Sequence, residues 1–124
     1  MTDDNIRIMI ADDNAIVRYG LRVFIELFDD YQLVGEADTG SQAVGLCVEL
    51  QPDLVLMDLV MPQMDGVRAT EKINQQFPDI RILVLTSTVD YDLIGEAMQA
   101  GAQGYLLKNL SIDTLDQAIR SAVA

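Results

Sequence analysis

At 124 residues, 50% apolar and 23% charged, the chain has the length and composition of one globular domain that folds without a disulfide or metal staple. Its 20 acidic against 8 basic residues give a net charge of −12, which argues strongly against this chain binding DNA, RNA or an anionic membrane by itself. The absence of histidine excludes histidine zinc sites, Ser-His-Asp triads and any histidine base, and the single cysteine, Cys47, excludes an internal disulfide and a four-cysteine metal site.

The opening MTDDNIRIMI lacks the basic and apolar regions of a secretory signal, and no apolar run approaches the ~18 residues of a membrane span. A cytoplasmic protein without a membrane segment is therefore expected. Strand-like and helix-like segments alternate along the whole chain. A first strand is predicted over Ile6–Ala11, followed by a helical stripe of Ile16, Val17, Leu21, Phe24, Ile25 and Phe28. A short strand at Gln32–Val34 precedes a second stripe of Ala43, Val44, Cys47, Val48 and Leu50, with Ser41 as its expected N-cap. The third strand, Leu54–Met57, leads to Val67, Thr70, Ile73 and Phe77, capped by Asp65. The fourth, Ile80–Leu85, leads to Leu93, Ile94, Ala97 and Met98, capped by Asp90 and ended by Gly101. The fifth, Tyr105–Leu107, leads to Ile112, Leu115, Ile119 and Val123, capped by Ser111.

Three of the strands are near-continuous apolar runs, as expected when both faces are covered. Five βα units in one domain imply an α/β fold, a doubly wound parallel sheet of flavodoxin-like (βα)5 type. The expected strand order is 2-1-3-4-5, with ligands at the carboxyl ends of strands 1 and 3.

Those carboxyl ends carry chemistry. Strand 1 runs into Asp12 and Asp13, strand 3 into Asp58, strand 4 into Thr86 and Ser87, and strand 5 into Lys108. The topology gathers three carboxylates, a hydroxyl and an ammonium at one edge. Clustered carboxylates repel each other, and a hard cation relieves them; Mg²⁺ suits best, since it takes oxygen ligands and commonly shares them with phosphate. A carboxylate flanked by Mg²⁺ and Lys108 is placed to attack phosphorus and hold an acyl phosphate, with Thr86 on a phosphoryl oxygen. Each residue alone has a plainer reading. Asp after a strand is often a turn residue, Lys108 could guard a strand end, and Thr86 could simply favour β structure. Their joint position at matching strand ends is what argues for a site.

The runs IADDN, LVLMDLVMPQMDG, LVLTS and GAQGYLLK resemble the receiver domains of two-component response regulators over the whole chain. ADDNAIVRYGL, VGEADTG and GAQGYLLKN resemble the NarL/FixJ (LuxR-type) subgroup in particular. The resemblance implies Asp58 as phosphoacceptor. It implies Asp12, Asp13, Asp58 and the backbone carbonyl of Val60 around Mg²⁺, with Asp13 the more direct of the first two. Thr86 and Lys108 would contact the phosphoryl group. Tyr105 matches the family's switch aromatic, turning inward as Thr86 moves. Ser87 matches a small residue that leaves access. Asn14 stands where the subgroup often has His. Asn109 replaces the usual proline, which argues against a cis bond after Lys108, since a non-proline cis bond costs ~3 kcal/mol. Val60 and Thr88 occupy positions that tune autodephosphorylation, and neither orients water well, so a long-lived phosphoryl group is expected.

The implied function is a phosphorylation-controlled switch, not a turnover enzyme, served by a sensor histidine kinase. The implied organisation is one receiver domain over residues 1–124, the N-terminal part of a longer regulator that contacts DNA through a C-terminal helix-turn-helix domain. The alternative is a stand-alone receiver acting in phosphotransfer or protein–protein regulation. Two other classes are disfavoured by particular residues. A haloacid-dehalogenase-like phosphohydrolase needs a second Asp where Val60 stands, and an FMN carrier needs a phosphate-cradling loop where Asp12–Ala15 is acidic. The first helix carries more apolar residues than one face needs, including Tyr19, Val23 and Leu27. Either its core stripe is wide or it forms a partner surface, as in a homodimer with the fifth helix. Cys47 is expected to be core.

Overall fold

The computed structural model describes residues 5–87 and 89–124. The beginning of the opening segment read above for a signal, residues 1–4, and Thr88, read as a dephosphorylation position, lie outside the described residues. The elements alternate as β1 (Ile6–Ala11), α1 (Ala15–Glu26), β2 (Tyr31–Ala37), α2 (Gly40–Leu50), β3 (Leu54–Met57), α3 (Gly66–Gln76), β4 (Arg81–Thr86), α4 (Tyr91–Ala100), β5 (Gly104–Leu107) and α5 (Ile112–Val123). The five strands form one parallel sheet in the order β2-β1-β3-β4-β5, the topology expected from the sequence.

Alternation along the buried strands divides the core in two. Met9, Ala11, Val55, Met57, Ile82 and Val84 face α2, α3 and α4 through Ala43, Cys47, Ala69, Ile73 and Ala97. Ile8, Ile10, Leu54, Leu56, Leu83 and Leu85 face α1 and α5 through Phe24, Ile25, Leu115 and Ile119. Cys47 is fully buried, and burial pushes its thiol up to about 12, so it is a core residue.

Several local expectations need correction. The N-cap of α2 is Thr39, not Ser41: Thr39 has extended backbone and accepts the Gln42 N–H, while Ser41 already lies inside the helix. The Ser41 hydroxyl and N–H instead both donate to the Gln63 carbonyl at 3.0 Å. The cap of α1 is Asn14, whose Oδ1 accepts from Ile16 and Val17. β2 is seven residues long rather than three. Glu36 sits within it, satisfied by arginines of α1, so a charge there does not end the strand. Ile16 leaves its assigned core stripe and is 82% exposed. Asp65, Asp90 and Ser111 cap as expected, and Gly101 ends α4 at φ 121°, a backbone that favours glycine. Val23 and Leu27 are exposed together with Ile16 and Tyr19, which makes a solvent-facing apolar stripe rather than a wide core stripe.

Candidate functional site

Three ladder hydrogen bonds run one residue past the strands and fix the site's backbone. The Asp12 N–H donates to Ala37 O (3.0 Å), the Asp58 N–H to Ala11 O (2.8 Å) and the Lys108 N–H to Thr86 O (2.9 Å). Each of these three candidate residues is thus tied to the neighbouring strand at the carboxyl edge. The loop after β3 is closed at its base by Gly66 N–H on Leu59 O, 2.8 Å. A Cβ at Gly66 would lie 2.1 Å from the Asp58 carbonyl, so only glycine permits this approach behind Asp58.

The side chains converge as the sequence suggested. One carboxylate oxygen from each of Asp12, Asp13 and Asp58 lies within 4.8 Å of the other two. Lys108 Nζ is 2.7 Å from Asp12 Oδ2 and 3.5 Å from Asp58 Oδ2. Asp12, Asp58 and Thr86 are buried, while Asp13 is exposed. The Val60 N–H reaches Asp58 Oδ1 at 3.4 Å, and Val60 is itself 69% exposed. Burial pushes the Asp58 carboxyl above the usual range, and the nearby Asp12 charge pushes it further; Lys108 pulls it back down. The opposed charges leave an oxygen-lined site short of positive charge. Three carboxylates of this kind are the donor set of a hard divalent cation, and Mg²⁺ fits it.

Two expected residues lie on one face of the sheet. Val84 pairs with Tyr105 and Thr86 with Leu107, so Thr86 and Tyr105 are diagonal neighbours on the α4 side. Tyr105 is 45% exposed. Ser87 is exposed and borders, with Leu107, Lys108 and Asn109, a surface depression of about 260 Å³ beside the lysine. The Lys108–Asn109 peptide is trans. Sequence reasoning missed one contact at the site: Arg18 Nη1 donates to the Asp12 carbonyl at 2.7 Å. A lone arginine six residues on carries no motif. Among the described residues no helix is long and apolar enough to cross a membrane.

The family model "Response regulator receiver domain" matches residues 8–120. The chain is 51% identical over 109 residues to the uncharacterized transcriptional regulatory protein YhcZ of Bacillus subtilis, covering 88% of this chain and 51% of that protein. It is 46% identical over 117 residues to the transcriptional regulatory protein LiaR of the same organism, covering 94% and 56%. Among solved structures, a two-component response regulator of the LuxR family from an Aurantimonas species superposes with a TM-score of 0.90 at 39% identity, covering 96% of this chain and 85% of that one. The chain spans about half the length of the curated relatives it matches.

Proposed function

The chain belongs to the response regulator receiver domain family of two-component systems, and from that premise we propose that Asp58 accepts a phosphoryl group from a sensor histidine kinase. The single observation that carries this reading is the bridging of Asp12 and Asp58 by Lys108 at the carboxyl edge of the sheet, with Asp13 within ligand range of both acids. In the transfer, a lone pair of the Asp58 carboxylate forms the new O–P bond. The P–N bond of the donor phosphohistidine breaks, and its electron pair returns to the imidazole. No protein base is needed, because an ionised carboxylate is already a nucleophile.

Asp12, Asp13 and Asp58, with the Val60 carbonyl, would hold Mg²⁺. Bound there, the ion would supply positive charge to the carboxylate and phosphoryl oxygens. Lys108 neutralises the equatorial phosphoryl oxygens from the β5 side, and Thr86 donates its hydroxyl to one of them. Drawing Thr86 toward phosphate frees space on the face it shares with Tyr105. The tyrosine then turns inward and reshapes the surface of α4 and β5.

In the full protein this surface would control a C-terminal DNA-binding domain, in keeping with the names of the relatives. The exposed apolar stripe of α1 would serve a protein partner, a second copy included. The test is intact mass after incubation with Mg²⁺ and acetyl phosphate. One phosphoryl adduct is expected on wild type, none on Asp58→Asn, and none with chelator present. An adduct that survives in Asp58→Asn would overturn the assignment.

A further inference from the structure

We infer that Arg18 is a positioning residue for the acidic site, and that its bond to the Asp12 backbone sets how well the site takes Mg²⁺. The inference rests on the reading of Asp12, Asp13 and Asp58 as a magnesium site, and deepens it.

All four polar atoms of Asp12 have a partner. Its N–H donates to Ala37 O on β2 (3.0 Å), and its Oδ1 accepts the Asn14 N–H (2.9 Å). Its Oδ2 faces Lys108 (2.7 Å), and its carbonyl accepts Arg18 Nη1 (2.7 Å). The last bond is the one made by a side chain reaching back from α1. The arginine is itself held, with Nε 3.4 Å from Glu36 Oε1 on β2 and its side chain 20% exposed. Glu36 pairs with Ile10, two residues before Asp12 on β1, and it accepts from Arg22 Nε and Nη2 at 2.9 and 3.0 Å. Glu36 is therefore a fixed post on the sheet. Arg18 spans from it to the loop that carries Asp12 and Asp13, while the bonds Arg22 makes to Glu36 do not reach that loop.

This arrangement contains its own control. Arg18 and Arg22 share one carboxylate and carry the same charge, but only Arg18 holds the Asp12 carbonyl. The sign is also diagnostic. By charge alone, deleting a cation beside three acids strengthens cation binding. If Arg18 instead aligns the ligands, deleting it weakens binding.

The experiment is an MgCl2 titration of ¹⁵N-labelled wild type, Arg18→Ala, Arg18→Lys and Arg22→Ala, read from the amide shifts of Asp13 and Val60. Urea unfolding of each protein without Mg²⁺ runs in parallel. Arg18→Ala is expected to raise the Mg²⁺ Kd about ten-fold, the usual size for loss of a group that orients a metal ligand. Arg18→Lys keeps the charge but not the fork, and shifts the Kd the same way. Arg22→Ala leaves the Kd unchanged, even where it costs stability. Equal losses in Arg18→Ala and Arg22→Ala, or tighter binding by Arg18→Ala, would overturn the inference while the magnesium site stands. No saturable shift in wild type strikes the magnesium reading itself, and the inference falls with it. Should Arg18→Ala fail to fold, Arg18→Lys against Arg22→Lys carries the same comparison.

Discussion

Lys108 lies closer to Asp12 than to Asp58: its Nζ is 2.7 Å from the first carboxylate and 3.5 Å from the second. The lysine rests on an acid proposed to hold Mg²⁺, within a short swing of the proposed phosphoacceptor. A cation at Asp12 and Asp13 would compete with that contact and release Lys108 toward Asp58 and its phosphoryl group. On the proposed reading, magnesium binding and phosphoryl stabilisation would be linked through this one side chain.

Removing Lys108 should act on both stability and chemistry. Lys108→Ala leaves two buried carboxylates without their cation, and should destabilise the metal-free domain by about 1–3 kcal/mol. Part of that loss should return with Mg²⁺ in urea unfolding. Phosphorylation by acetyl phosphate should slow about 100-fold, the scale for loss of one charge-stabilising group. A normal rate would remove Lys108 from the transition state.

The Asp58 carboxyl makes a pH-dependent statement. Its folded pKa is raised, chiefly by burial and then by Asp12. The native state therefore holds that proton more tightly than the unfolded chain does. Stability from this group is full below the unfolded value of 3.8 and is lost as pH rises through the folded value. At neutral pH and without metal, Asp58→Asn should be the more stable protein, by about 0.5–2 kcal/mol. The gap should close on acidification toward pH 4. Thermal unfolding of both proteins across this range is the check, and a gap that widens in acid would refute the sign.

Val60, two residues after the proposed phosphoacceptor, is 69% exposed, and its side chain offers no polar atom to orient an attacking water. Val60→Asn and Val60→Glu should therefore shorten the acyl-phosphate lifetime, read as loss of the intact-mass adduct with time. Unchanged lifetimes would show that water is ordered by another group.

Tyr105 lies diagonal to Thr86 on one face of the sheet and is partly exposed. Tyr105→Ala should leave Mg²⁺ binding and phosphorylation intact while abolishing the phosphorylation-dependent amide shifts of α4. Shifts that persist would assign the switch to other residues.

Ile16, Tyr19, Val23 and Leu27 form an exposed stripe along α1. Val23→Glu and Leu27→Glu should change stability by less than about 0.5 kcal/mol, as surface substitutions do. They should nevertheless abolish self-association of the phosphorylated domain in sedimentation. Undiminished association would move the interface elsewhere.

Strand order, both core layers and the acid-lysine cluster were legible because each is written as local apolar runs with polar residues at their ends. Asp12, Asp13, Asp58 and Lys108 follow buried strands directly, so topology alone brings them together. Other features depend on contacts distant in sequence. Ser41 looks like a cap until Thr39 takes the Gln42 N–H, and its real partner, Gln63, is in another loop. β2 runs on through Gly35 and Glu36, and the arginines that pair with Glu36 come from α1. Arg18 gave no signal, since its stem reads as an ordinary helix residue and only the fold reveals its carbonyl partner. The exposure of Ile16 likewise follows from how α1 is rolled on the sheet, which periodicity left open between two apolar stripes.

Asp58, rather than a neighbouring acid, is proposed to carry the phosphoryl group. Reduction of the phosphorylated protein with borohydride converts an acyl-phosphate carboxyl to an alcohol, and peptide mass spectrometry then locates it. Homoserine at position 58 alone, dependent on Mg²⁺ and lost with Lys108→Ala, is the predicted result. Reduction at Asp12 or Asp13, or labelling that ignores Mg²⁺, would contradict the account.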